Sequence, residues 1–217
     1  AAYAEVVEDV ARTAVGDRLA DELAFVHELD RLKTVLRQSF VGEASRRENT
    51  AEHSWHVAVM AAVLSEHLEA DVDLARVVLL LLVHDIVEID AGDTGIYDDT
   101  SNGSKEEREE AAGDRLYGLL PDDVGARLRD AWEEYEHGTT PEARAARVFD
   151  RLAPVLLNLS AGGIAWRRWG VSADRVREVV APIGAGAPEL GRFVDAALER
   201  AVADGLLPAG SSGLILP

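Results

Sequence analysis

The chain predicts an all-α fold: one helical bundle whose central helix is buried and ends in a His-Asp pair. Three observations predict it. Apolar residues recur at three- and four-residue steps along most of the chain, and no convincing alternating strand appears. The stretch LLLLVHDIVEIDAGDT (79–94) opens apolar on nearly every side, which suits a helix at the centre of a bundle. The same stretch then carries His84, Asp85, Glu88, Asp90 and Asp93. Charge buried there is costly unless it is paired or bound to a metal, so the end of this helix asks for a cation.

The elements follow in order. Residues 2–14 read as a short amphipathic helix, and 18–38 as a longer one with Leu19, Leu23, Val26, Leu29, Leu32 and Leu36 on one stripe. Residues 40–47 contain Gly42 and read as a loop. A third helix starts at Thr50 and runs to about Leu68, with His53, Val57, Met60 and Leu64 on one face. Asp71 or Asp73 caps the fourth, which reaches Ile89. Gly92, Gly95 and residues 98–104 make a polar loop. Helices follow over 104–120 and 121–137. Thr140 and Pro141 then open another, to about Leu159, as N-cap and first helical residue. Gly162 and Gly163 end it, two more helices occupy 172–182 and 187–204, and the tail from Pro208 is expected to be mobile.

Composition narrows the function classes. The 217 residues suit one domain with room for a core and a pocket. With no cysteine, disulfides, thiolate metal sites and cysteine nucleophiles are excluded, so any metal is held by His and carboxylate. Forty acidic against 22 basic residues give a net charge of −18, which repels nucleic-acid backbones and argues against a nucleic-acid partner. The first residues lack the pattern of a signal peptide, and the longest apolar run, 77–83, is too short to span a membrane. The reading is a cytoplasmic protein.

A divalent ion held by such residues needs three or four ligands converging from rigid elements. His84 and Asp85 are adjacent, so on a regular helix they point about 100° apart and need partners from neighbouring helices. His53 is one of few polar groups on its apolar face. Asp150 lies in FDRLAPVLLN (149–158), among Val148, Phe149, Leu152 and Val155, with Pro154 four residues on to free its carbonyl and kink the helix. Taken singly, His53 reads as a packed core residue and Asp150 as the partner of Arg151. Taken together, on three apolar helices, they read as one metal site.

These residues resemble the HD-domain metal-dependent phosphohydrolases, and within them the small bacterial 5'-nucleotidases and their eukaryotic relatives. The likeness is carried by RLKTVLRQ (31–38), SRRENTAEHSWHVAVMA (45–61), LLLVHDIVEIDAGDT (80–94), AWEEYEHGTTPEAR (131–144) and FDRLAPVLLN. It implies one HD-type helical domain over 1–207, with its core in about 25–160, and a flexible tail over 208–217. It implies that His53, His84, Asp85 and Asp150 bind one divalent ion, with Mn, Co, Mg, Fe, Ni and Zn all compatible. It further implies that Glu88 acts in catalysis near the attacking water, that Asp93 lies at the sugar and that Arg37 contacts the phosphate. A homodimer is implied as well. Gln38 departs from the family, where an aromatic residue follows the phosphate-binding Arg and helps to reject ribose.

The expected reaction is hydrolysis of a phosphate monoester, a nucleoside 5'-monophosphate above others. Glu88 or the metal-bound Asp85 would handle the proton of the attacking water. Arg37, with Arg46 and Arg47, would supply the local positive charge that phosphate needs on an acidic protein. Two other readings compete. An HD-type di-iron oxygenase needs further His ligands between the His-Asp pair and Asp150, where only His137 lies. A non-catalytic helical module with a metal site would have no use for Glu88, Asp93 and Arg37. His56, Trp132, Tyr135, Trp166 and Trp169 read as packing residues before anything else, with a pocket mouth or a subunit interface as the alternative for Trp166 and Trp169; Lys105 reads as a surface residue, with a reach into the site from the loop after Asp93 as its alternative.

Overall fold

The computed structural model describes residues 2–97 and 105–210. Among them the chain forms eleven α-helices and one small two-stranded sheet. Helices α1 (Ala2–Ala14) and α2 (Asp17–Leu29) pack as a pair at the edge of the bundle. A 3-10 turn over Asp30–Thr34 leads into β1 (Leu36–Phe40), which pairs with β2 (Arg47–Asn49). Then come α3 (Thr50–Leu64), α4 (Leu74–Val83) and the one-turn α5 (Glu88–Ala91). The second half holds α6 (Lys105–Tyr117), α7 (Asp122–His137), α8 (Pro141–Ser160), α9 (Ile164–Trp169), α10 (Ala173–Gly186) and α11 (Pro188–Ala203).

Local chemistry fixes where the three central helices begin. Asn49 and Glu52 form a capping box on α3: the Asn49 side chain accepts from the Glu52 amide at 3.0 Å, and the Glu52 carboxylate accepts from the Asn49 amide at 3.4 Å. Asp73 caps α4 by accepting from the amides of Ala75 and Arg76. Thr140 caps α8, with Pro141 at its first position. Helix α4 packs on α3, α7 and α8, while α8 also packs on α3 and α10. Leu80 and Leu81 of α4 and Phe149 and Leu152 of α8 are fully buried where they meet. The polar residues on those same faces, His53, His84 and Asp150, are thereby drawn into one buried place.

The helix expected over 18–38 stops at Leu29, and two members of its stripe, Val26 and Leu36, are 59% and 50% exposed. Thr34 bonds its hydroxyl to the Arg31 carbonyl at 2.7 Å, and the Val35 carbonyl accepts from the Thr50 amide at 3.0 Å. Both contacts turn the chain into the extended strand β1, so a sheet exists where none was expected. Between the Leu36–Asn49 and Phe40–Arg47 pairs the register slips, because β1 carries more residues than β2 over that span. Such a bulge re-aims side chains. Strict alternation would send Gln38 away from Arg37 and Ser39, yet all three line one cavity.

The central helix ends at Val83 rather than Ile89. Beyond it the backbone bonds tighten to three-residue steps: Ile86 to Val83 at 3.1 Å, Glu88 to Asp85 at 3.1 Å and Ile89 to Ile86 at 3.2 Å. Side chains three apart eclipse in such a turn, so Asp85 and Glu88 line up along one edge. Helix α8 runs through Pro154 without interruption. The helices read over 104–120 and 121–137 appear as α6 and α7, and α9 was not expected at all. The loop over 98–104, the start proposed at Ser104 and the tail beyond Gly210 lie outside the described residues.

Candidate metal centre and substrate cavity

His53 stands on the first turn of α3, His84 just past the last residue of α4, and Asp150 midway along α8. His53 Nε2 is 3.1 Å from Asp150 Oδ1, and His84 Nε2 is 3.8 Å from the same oxygen. Asp85 Oδ2 lies 3.1 Å from His84 Nε2 and 3.8 Å from His53 Nε2. Ligand atoms about 2.0–2.2 Å from a common ion lie roughly 3–3.5 Å from one another. The His53–Asp150 and His84–Asp85 separations of 3.1 Å fall in that range and the two of 3.8 Å lie just beyond it; His53, His84 and Asp150 each bring one ligand atom within 4.8 Å of the others.

The Leu81 carbonyl can only accept, so His84 donates to it from Nδ1 at 2.9 Å. In the neutral ring the lone pair then sits on His84 Nε2, which is buried and has no hydrogen-bond partner. It faces two carboxylate oxygens, an arrangement of acceptors only, which a cation resolves. Asp150 is oriented from its other oxygen, which accepts from the Tyr135 hydroxyl at 2.8 Å. Tyr135, read from the sequence as packing, thus holds a ligand in place and sets its ring 4.7 Å from that of His84.

The carboxylates divide into two groups. Burial acts to raise Asp85, but His84 and Arg37 overcome it and hold it below the usual range. Burial acts likewise on Asp150, and the neighbouring rings of His53 and His84 reverse it. Burial wins at the other three: Glu48 is pushed up to about 7, and Glu88 and Asp93 are raised. With no ion bound, His84 takes up the charge. Burial would lower it, yet Asp85 and Asp150 raise it to about 10. Burial and then the charge of Arg37 hold His53 down, to about 4.

A cavity of about 320 Å3 opens beside these ligands. Arg37 reaches in from β1, with Nη1 2.8 Å from Asp85 Oδ2 and 3.8 Å from Asp93 Oδ1. Glu88 accepts from the buried Thr50 hydroxyl at 2.8 Å. Gly92, at φ 74°, ends α5 and turns the chain so that Asp93, Thr94 and Gly95 line the wall. Gly95 lies so close to the Trp169 ring that a Cβ there would come within 2.8 Å of it. Trp169, Lys105 and Arg151 also line the cavity. Of the two places open to Lys105, the surface and the site, it takes the cavity wall, 3.4 Å from Glu109.

Two expected site residues are not brought there. Arg46 pairs with Glu52 through two bonds of 2.8 and 2.9 Å and faces solvent. Arg47 binds the carbonyls of Arg37 and Leu36, so it braces the hairpin rather than the cavity. His56 stacks on Trp55, and His137 is exposed at the end of α7, so neither joins the four ligands. Sequence reasoning missed Glu48 and Thr50 as site residues. Their only signal was position: the turn entering α3 holds Glu48, Thr50 and His53 within six residues.

Helices that converge two His and two Asp on one buried point, beside a cavity with a buried Arg, define a class: all-α proteins with a mixed His-carboxylate metal centre. The chain belongs to the HD domain family, whose model matches residues 29–190. It is similar to a chain described as a predicted metal-dependent phosphohydrolase from Magnetospirillum magnetotacticum. That structure is 48% identical, with a TM-score of 0.82 over 88% of this chain and 98% of the other. It is also similar to the 5'-deoxynucleotidases HDDC2 of Bos taurus and Homo sapiens, at 36% and 35% identity over 62% of this chain. The chain spans 64% and 65% of the length of those two relatives.

Proposed function

We propose that this chain is a metal-dependent phosphohydrolase that cleaves a phosphate monoester, with a nucleoside 5'-monophosphate as substrate. One observation carries the reading: the unpartnered His84 Nε2 converges with His53, Asp85 and Asp150 directly beside Arg37 and an open cavity. The relatives named for phosphohydrolase and 5'-deoxynucleotidase activity support it.

In this reading His53, His84, Asp85 and Asp150 hold one divalent ion. When bound, the ion supplies a Lewis acid for the phosphoryl group and lowers the pKa of a water. Arg37 stays charged, because Asp85, Glu88, Asp93 and Asp150 outweigh its burial, and it steadies the non-bridging oxygens of the phosphate. Glu88, raised by burial and aimed by Thr50, accepts the proton of the attacking water. Asp93 keeps a buried oxygen without a partner, an acceptor for a sugar hydroxyl. Lys105 and Arg151 add positive charge to the wall.

The same proposal includes a homodimer and a cytoplasmic location. Trp55, Val59 and Val63 form an exposed apolar stripe at four-residue steps along α3, which suits a second copy. The cysteine-free chain suits a reducing compartment. Among the described residues no helix is long and apolar enough to cross a membrane.

The test is phosphate release from a panel of nucleoside 5'-monophosphates with added Mn2+, Co2+ or Mg2+. Replacing Asp85 by Ala is expected to lower the rate by at least ~10³-fold, since metal assistance contributes several kcal/mol and each 1.36 kcal/mol is tenfold. Equal rates for wild type and Asp85→Ala overturn the proposal.

A further inference from the structure

Three buried polar atoms without partners face one another behind the metal centre. They are Arg37 Nε, Glu48 Oε2 and His53 Nδ1. Glu48 Oε2 is 3.6 Å from Arg37 Nε and 3.8 Å from His53 Nδ1. Both separations are too long for hydrogen bonds, and closure by under about 1 Å, or one bridging water, turns each into one. The three residues come from different elements: Arg37 from the bulge of β1, Glu48 from the middle of β2, and His53 from the first turn of α3.

The donors and acceptors can be assigned. Arg37 Nε only donates, and Glu48 Oε2 is the carboxyl oxygen that faces it as acceptor. His53 uses Nε2 toward Asp150 and the metal position, so Nδ1 is the nitrogen left to carry a proton. A metal-bound His donates its other N–H to a carboxylate or carbonyl, and that partner fixes tautomer and ring orientation. His84 has the Leu81 carbonyl for this. Glu48 holds the carboxylate that faces the corresponding nitrogen of His53.

We propose that Glu48 is a positioning residue whose one carboxylate is shared between His53 Nδ1 and Arg37 Nε, tying the metal ligand to the phosphate clamp. It touches neither the metal position nor the substrate; it acts through the two residues that do. The inference rests on the metal-centred reading above, and it makes Glu48 a side-chain tie between the hairpin and α3.

The experiment needs no turnover. Mn2+ binding, and inorganic phosphate binding to the Mn2+-loaded protein, are measured by calorimetry for wild type, Glu48→Gln and Glu48→Asp. Thermal unfolding reports whether each variant is folded. The Asp variant keeps the charge but withdraws the carboxylate by one methylene. Outer partners of metal ligands govern about 10–100-fold in metal affinity, so Mn2+ is expected to weaken by roughly tenfold or more in both variants, with phosphate weakened alongside. In the Zn2+-loaded protein a His53 Nδ1–H resonance is expected in wild type and is shifted or lost in both variants.

Wild-type Mn2+ affinity in Glu48→Asp, with a loss only in Glu48→Gln, reduces the role to charge and overturns the proposal. So does a loss confined to either Mn2+ or phosphate, or an unmoved His53 resonance. Wild-type protein that takes up no Mn2+ overturns the metal reading and this inference together, whereas metal binding and coupling without phosphatase activity overturn only the proposed reaction.

Discussion

The two halves of the site are built from different material. Its metal half comes from the ends and faces of α3, α4 and α8, where His53, His84 and Asp150 sink into the hydrophobic core. Its substrate half comes from the bulged strand β1 and the turn after α5, where Arg37, Gln38 and residues 93–97 line the cavity. Helices packed on three sides hold ligands rigidly, while a short hairpin and a turn are free to vary in what they present. In the proposed reading the chemistry is thereby fixed in the bundle and the choice of substrate is left to short connections. Glu48 and Asn49 stand on the join.

Removing Arg37 tests that separation most severely. Arg37→Ala deletes the guanidinium that faces Asp85 at 2.8 Å, the charge assigned to the phosphate. A group of that kind contributes about 10²–10³-fold to turnover, and kcat/KM is expected to fall by that much. Mn2+ affinity is expected to hold or to rise, because a buried cation beside the ligands is gone. Steady-state kinetics together with Mn2+ calorimetry decide it. A parallel loss of metal would show that the halves are not separate.

The same division governs what was legible in the sequence. All four residues expected as ligands stand together, because each announced itself as a polar group in an apolar helical stretch. The periodicity of the flanking residues fixed the faces of α3, α4 and α8. The substrate half lacked that frame. A stripe of leucines made 18–38 look like one helix, and nothing in the local pattern told that Leu36 is exposed while Arg37 turns inward through a bulge. Arg46 and Arg47 were grouped with Arg37 by charge alone. Their actual partners, Glu52 for one and backbone carbonyls for the other, follow from the capping box and the strand pairing. Tyr135 reads as packing from its sequence, since the contact that gives it its place, to Asp150, is made across the bundle.

A smaller effect is expected from filling the contact between the two walls of the cavity. Gly95→Ala brings a Cβ within 2.8 Å of Trp169 and 3.1 Å of the Gln38 side chain. Overpacking of this kind costs about 1–3 kcal/mol, and here it pushes Trp169 and Gln38 into the substrate space. KM is expected to rise by roughly tenfold, with kcat and Mn2+ affinity little changed. A fall in kcat at constant KM would mean that this wall reaches the reacting atoms.

The smallest effect bears on the join itself. Asn49 is both the last residue of β2 and the N-cap of α3, and the next residue, Thr50, donates to Glu88. Thr140 caps α8 ten residues before Asp150. Replacing either cap by Ala removes one side-chain bond to a helix N-terminus and costs about 1 kcal/mol, which for a domain of this size lowers Tm by about 2–4 °C. Thr140 also loses the bond its hydroxyl donates to Glu134, so Thr140→Ala is expected to unfold at least as early as Asn49→Ala, and the two are expected to differ at the site. Asn49→Ala loosens the turn that aligns Glu48, Thr50 and His53, so Mn2+ affinity is expected to weaken by a few fold. Thr140→Ala frays a helix end more than two turns away from Asp150 and leaves Mn2+ affinity as it was. Equal Mn2+ affinities in the two variants would mean that α3 holds His53 without help from the hairpin, and that the halves of the site meet only at the substrate.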